Sequence, residues 1–237
     1  MSREQQIDTD ALTAVLADAC QQLDIKLADN VQQQLIRYVQ LLYKWNKAYN
    51  LTAVRDPLEM VSRHVVDSLS ILPWLQGRRC IDVGTGPGLP GLVLAIAEGG
   101  ARQWTLLDSN GKKTRFLRQA VLELGLENVE IIQERVEKFQ PEAKFDTLTS
   151  RAFAELGEML RLCHHLVVDQ EHHKQMGRIL AMKGTRAEIE LELEAIAAQM
   201  AEILGKDTIA RIEPLVVPGS RAQRHLVIIE ADTAPAA

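Results

Sequence analysis

Apolar residues recur along this chain in two rhythms. Over residues 11–24 and again over 30–49 they fall three and four apart, the period of a helix with one buried face. In the second segment Val31, Leu35, Tyr38, Leu42, Trp45 and Tyr49 share a face, and Gln33, Arg37, Gln40, Lys44 and Lys47 gather nearly opposite. Asp29 or Asn30 is expected to cap that helix. Asn50 to Thr52 reads as a loop, and Asp56-Pro57 opens a third helix running to about Leu72. Beyond it the rhythm changes to short apolar runs separated by helical ones. Arg79–Val83, Gln103–Leu107, Val129–Gln133, Phe145–Ser150 and Arg178–Met182 read as strands. Leu89–Ala97, Gly111–Leu124, Phe153–Leu166 and Arg186–Leu204 read as the helices between and after them. Two last strands, about Ile209–Val217 and His225–Glu230, flank Pro218-Gly219-Ser220 and must run antiparallel to each other.

Strands alternating with helices imply an α/β fold, a mostly parallel sheet covered on both faces and closed by an antiparallel C-terminal strand. The division expected is an N-terminal helical extension over residues 1–72, packed on a sheet domain over 73–231. Residues 1–10 are expected to fray, and 232–237 to form a disordered tail.

Composition narrows the class. An apolar content of 46% over 237 residues supports a sizeable core, and no apolar run is long enough to cross a bilayer. With no signal-peptide pattern at the N-terminus, a cytoplasmic protein is expected. Three widely spaced cysteines, 20, 80 and 163, fit neither a disulfide framework nor a zinc knuckle. The formal charge of −5 does not announce a nucleic-acid binder, but its distribution is uneven. Arg37, Lys44, Lys47 and Arg55 stand in a stretch from Asn30 to Arg55 that has no acid, and acids predominate from Glu123 to Asp146. One face of an otherwise negative molecule can therefore be positive, and the 33–47 stripe is a candidate for phosphate contacts.

The candidate chemistry lies in Cys80–Gly91, C-I-D-V-G-T-G-P-G-L-P-G, where four glycines follow a predicted strand and precede a helix. Gly86, Gly88 and Gly91 fit the dinucleotide pattern G-x-G-x-x-G. Asp82 to Gly88 is equally similar to the first motif of the S-adenosylmethionine-dependent methyltransferases, an acid followed by x-G-x-G-x-G. Asp82 favours the second, since a carboxylate at a strand tip repels a pyrophosphate and suits a sulfonium. In open parallel sheets ligands bind beyond the carboxyl ends of the strands. That rule nominates Gly84 and Gly86, then Asp108 for a ribose hydroxyl pair, then Glu134-Arg135-Val136-Glu137 for an adenine edge, then Ser150-Arg151 and Lys183-Gly184. Arg63 and Asp67, four apart, can simply pair on one helix face; the functional alternative is that His64, Asp67 and Ser68 edge a site beside the glycine loop. Cys163-His164-His165 and His172-His173 lack ligand spacing, so no metal is expected.

Taken together, K-W-N-K-A-Y-N-L-T (44–52), R-H-V-V-D-S (63–68), D-V-G-T-G-P-G-L-P-G (82–91), L-L-D-S (106–109), R-F-L-R-Q (115–119), S-R-A-F-A (150–154), M-K-G (182–184) and R-H-L-V (224–227) resemble the small-subunit ribosomal RNA methyltransferase G family. The resemblance implies a Rossmann-like S-adenosylmethionine-dependent methyltransferase fold and methyl transfer to N7 of one guanine in bacterial 16S ribosomal RNA. It implies cofactor contacts at Gly84, Leu89, Val136, Glu137 and Arg151, to which the strand-end argument adds Gly86 and Asp108. The partner is then ribosomal RNA or the small ribosomal subunit, with no membrane, no metal, a monomeric enzyme, and no obligatory catalytic acid or base. Arg151 is expected to clamp the cofactor or a phosphate, and His64 or Lys183 to orient the base. Residues 168–178 are longer and richer in histidine than the family's link into the fifth strand.

Overall fold

The structure is a computed structural model that describes residues 8–167 and 176–231. The expected tail at 232–237, the pair His172-His173 and most of the long 168–178 segment lie outside the described residues.

Helix α1 (Thr9–Gln22) starts where Asp8 accepts a hydrogen bond from the Ala11 amide at 3.0 Å. Helix α2 (Asp29–Tyr49) follows, with Ala28 at its cap position and no side-chain cap, so neither Asp29 nor Asn30 caps it. It ends at Asn50, which holds a left-handed conformation with φ of 51°. The third predicted helix divides into α3 (Pro57–Met60), a π-helical turn over Val61–Val66 and α4 (Asp67–Leu69).

The sheet follows as β1 (Arg79–Val83), α5 (Gly91–Ala97), β2 (Gln103–Leu107), α6 (Gly111–Leu124), β3 (Val129–Ile132), β4 (Thr147–Arg151), α7 (Leu156–Cys163), β5 (Arg178–Lys183), α8 (Arg186–Leu204), β6 (Thr208–Pro214) and β7 (His225–Ala231). Its strand order is β3-β2-β1-β4-β5-β7-β6. Strands β1 to β5 pair in parallel, and β7 runs antiparallel to both β5 and β6. The link between β6 and β7 spans residues 215–224, longer than the tight turn expected.

Alternation along β1 sends Cys80 to one side and Ile81 and Val83 to the other, each into its own apolar layer. The first layer joins α1, α2, α5 and α6; the second joins α7 and α8. The chain reverses its winding between β1 and β4, and the crevice at that reversal opens at the carboxyl ends of the strands.

Candidate functional site

At that edge a cavity of about 650 Å³ lies between the glycine loop and α7. Its walls include Gly84, Asp108, Ser109, Lys113, Glu134 to Glu137, Ala152, Phe153 and Arg161. Four of the expected cofactor residues, Gly84, Asp108, Val136 and Glu137, therefore converge from three strand ends.

The loop is wired to β2. The Gly84 and Thr85 amides both donate to the Leu107 carbonyl, at 2.9 and 3.2 Å. The Gly86 amide donates to Asp108 Oδ2 at 2.9 Å, so Gly86 supports the cavity through that carboxylate. Asp108 Oδ1 accepts from the Asn110 amide at 2.8 Å, and Lys113 Nζ stands 3.7 Å from Oδ2. A carboxylate oxygen accepts more than one hydrogen bond, so each still has capacity for a hydroxyl donor. Glycine at 84 is required twice over: φ is +66°, and a Cβ there would stand 2.5 Å from the Phe153 ring.

Asp82 corrects the sequence reading. Its side chain is fully buried beneath the loop. Oδ2 accepts from the Gly91 amide and Oδ1 from the Thr149 hydroxyl, both at 2.9 Å. Burial pushes its carboxyl up to about 6 against those hydrogen bonds. The acid holds the start of α5 against β1 and does not reach the cavity. A Cβ on Gly91 would stand 2.5 Å from Asp82 Cβ and from Leu106 Cδ2, so the last glycine of G-x-G-x-x-G serves helix–strand packing. Helix α2 braces the loop from the other side, where the buried Tyr38 hydroxyl donates to the Pro87 carbonyl at 2.9 Å.

Two expected contacts sit elsewhere. Leu89 is packed in the first apolar layer. Arg151 lines a second cavity, of about 380 Å³, together with Thr52, Arg63, His64, Lys183 and Arg224. The two cavities share Ala152 and Phe153 as a common wall.

The Arg63–Asp67 pair, one of the two readings of that helix, does not form. Arg63 reaches Glu59 at 3.3 Å. Asp67 is buried beneath the second cavity, where Oδ2 accepts from Arg151 at 2.7 Å and Oδ1 from Arg224 at 2.9 Å. Arg151 also donates to the Arg63 carbonyl at 3.1 Å. His64 Nδ1 faces the same carbonyl at 3.0 Å and so must donate, which leaves Nε2 to accept from the Thr52 hydroxyl at 2.9 Å. Burial, and then the Arg151 guanidinium, hold the His64 ring down at about 4, so it is neutral near pH 7. Lys183 donates to the Ala154 carbonyl and to Glu192, both at 2.9 Å, so its charge is already matched.

Thr52, Phe153 and Arg224 are site residues that sequence reasoning left without a role, although each lies in a quoted motif. The histidines after α7 diverge: His165 Nε2 donates to the Phe139 carbonyl at 3.0 Å, and His164 Nδ1 faces the Leu160 carbonyl at 3.2 Å. Among the described residues no group of three or more His, Cys, Asp or Glu side chains is arranged to hold a metal ion. Among them, too, no helix is long and apolar enough to cross a membrane.

A putative O-methyltransferase from Klebsiella pneumoniae superposes with a TM-score of 0.57 at 13% identity, covering 95% of this chain and 99% of that one. A SAM-dependent methyltransferase from Aquifex aeolicus gives a TM-score of 0.52 at 17% identity, covering 79% of this chain and 97% of that one. At such identities the likeness concerns the fold, which is the Rossmann-like fold of the S-adenosylmethionine-dependent methyltransferases. In sequence, the ribosomal RNA small subunit methyltransferase G of an Escherichia coli strain is 49% identical over 221 residues, 93% of this chain and 97% of that protein. The protein of the same name in Shigella boydii is 48% identical over the same share. The family model described as rRNA small subunit methyltransferase G matches residues 31–216, and the chain belongs to that family.

Proposed function

We propose that this chain transfers a methyl group from S-adenosylmethionine to N7 of a guanine in bacterial 16S ribosomal RNA. The observation that carries the reading is the pair of cavities divided by Ala152 and Phe153, one ringed by strand-end residues and the other by cations. The first suits the cofactor: Asp108 has free acceptor capacity for a ribose diol, and the Val136–Glu137 backbone suits an adenine edge. Gly84 and Gly86 let the loop pass close beneath. Leu89 would support the loop from the apolar layer beneath it, and Arg151 would act from the second cavity.

When bound, the cofactor supplies an electrophilic methyl group on a sulfonium. Guanine N7 carries an exposed lone pair, so no side chain has to remove a proton. The protein's work is alignment, which can contribute about 7–11 kcal/mol. The target base leaves its stack to enter the second cavity. There the neutral His64 ring, fixed by Thr52 and the Arg63 carbonyl, offers a shape and no competing charge. Arg151 and Arg224 face the incoming nucleotide's phosphate. The enzyme acts as a cytoplasmic monomer; among the described residues the exposed large apolar side chains, Tyr49, Leu58, Leu122, Leu191 and Val216, are scattered over four helices and one loop, which supports the monomer.

Calorimetry with S-adenosylmethionine tests the first cavity. Wild type should bind it, and Gly84→Asp should abolish binding by driving a side chain into Phe153. Primer extension on 16S ribosomal RNA from cells with and without the gene, after borohydride reduction and aniline cleavage have turned any N7-methylguanine into a strand break, tests the acceptor. Unchanged stops in the two RNAs would refute the guanine assignment.

A further inference from the structure

A third concavity, of about 650 Å³, runs along the outer side of α6 and plays no part in the site just described. It is lined by Lys112, Arg115, Arg118, Gln119, Leu122 and Gln133, together with the Asn110–Gly111 turn. No carboxylate is among these residues. Lys112, Arg115 and Arg118 recur every third residue, all exposed, on one flank of the helix. None of the three forms an ion pair among the described residues, whereas Lys113 between them turns to Asp108. Leu122 closes the far end with 76% of its surface exposed.

Helix α2 packs beside α6, with Trp45 and Phe116 rings 5.7 Å apart and Arg37 bound to Glu123 at 3.0 Å. Arg37 is therefore lost to the basic stripe expected on α2, but Lys44 and Lys47 remain exposed, Lys47 over the Tyr43 ring at 4.3 Å. Among the described residues Lys112, Arg115, Arg118, Lys44 and Lys47 form no ion pair, on a molecule whose formal charge is −5, while the Glu123 carboxylate between the two helices is taken up by Arg37 and Gln119. A negative protein that must approach a polyanion does so through such a local face.

We propose that the α6 groove, continued by Lys44 and Lys47, is a docking track for ribosomal RNA phosphates outside the target nucleotide. This rests on the ribosomal RNA reading of the site. The first turn of α6 places the track: Asn110 to Lys112 line the groove, and Ser109 and Lys113 line the cofactor cavity. RNA lying on the track is held beside the methyl-transfer cavities without entering them. Leu122 gives the end of the track an apolar surface for a sugar or base face.

The test is Arg115→Glu/Arg118→Glu, with Arg115→Gln/Arg118→Gln as the milder pair should charge reversal disturb folding. Methyl transfer is measured on small ribosomal subunits from cells lacking the modification, and binding on naked 16S ribosomal RNA, each across a range of salt. The expected result is a KM for subunits raised about tenfold, with kcat and S-adenosylmethionine affinity unchanged. The slope of log affinity for RNA against log salt should fall by about 2. A KM and a salt slope equal to wild type overturn the track. So does weakened binding to subunits with naked-RNA binding unchanged, which would assign the groove to a ribosomal protein. Wild-type protein that does not methylate the subunits would instead refute the underlying activity.

Discussion

Two buried groups have opposite proton preferences in nearly the same pH window. The Asp82 carboxyl, about 3.9 in an unfolded chain, stands at about 6 in the folded protein because it is buried under the glycine loop. Between pH 4 and 6 the folded state therefore holds the extra proton, and this group's contribution to stability falls as pH rises. His64 is the reverse: about 6.5 unfolded and about 4 folded, so the unfolded state holds the extra proton. Its contribution rises with pH over almost the same interval. Each amounts to about 3 kcal/mol across the window, so in wild type they offset. Asp82→Asn keeps an acceptor for the Gly91 amide and offers a donor to the Thr149 hydroxyl, so it removes the titration with little loss of bonding. Urea denaturation stepped from pH 4.5 to 6.5 should show Asp82→Asn gaining stability with pH relative to wild type, and His64→Gln losing it. Parallel profiles for all three proteins would contradict these assignments. The sequence marked both residues but not their state. A carboxylate next to a glycine loop reads as a ligand group, and only the depth of β1 beneath α5 shows it to be a packing clamp.

The stretch read as one helix over residues 57–72 shows what periodicity conveys about an element and what it leaves out. The start was legible, since Asp56 accepts from the Leu58 amide at 2.9 Å with proline in the first turn. The π-helical turn at Val61–Val66 was not, because a turn closed by i→i+5 bonds leaves no mark in the apolar spacing. It shifts which residues stack, and Asp67 turns from Arg63 towards β4 and β7. There one carboxylate ties the N-terminal helices to the tip of β4 through Arg151 and to the start of β7 through Arg224. Partners 84 and 157 residues away cannot be read from spacing along a helix. Asp67→Ala leaves two guanidiniums facing each other over a buried gap. Breaking a buried pair costs about 3–5 kcal/mol, and the partial exposure of Arg224 puts the expectation near about 3. The urea midpoint should fall accordingly, and methyl transfer should fall with it as Arg151 loses its anchor. A midpoint within error of wild type would mean that Asp67 is not the anchor of that network.

At the scale of the molecule the order of strands and helices was legible, because a chain that alternates them has few ways to cover both faces of a sheet. The boundary at residue 72 is another matter. A change in rhythm marks where helices give way to strands, but it says nothing about whether the two parts share a core. They do: Leu12, Leu16, Leu35, Tyr38, Leu42, Met60 and Val65, each at most 1% exposed, lie in one apolar layer with Leu92, Phe116 and Leu117. Tyr38 reaches the glycine loop itself through the Pro87 carbonyl. Each such side chain contributes about 1.5–3 kcal/mol by its burial, against a net stability of about 5–15 kcal/mol for a whole domain. A fragment over residues 73–231 should therefore fail to fold, with no cooperative thermal transition and poor dispersion of its proton spectrum. The intact chain should unfold as one unit. Trp45 lies in the extension and Trp104 in β2, so variants retaining one or the other as sole tryptophan should report the same urea midpoint. Two separated midpoints, or a fragment that melts cooperatively, would mean that the methyltransferase sheet stands alone and the helices are an attachment. A single midpoint makes the helices part of the catalytic fold, since the loop under the cofactor cavity is then held from both sides.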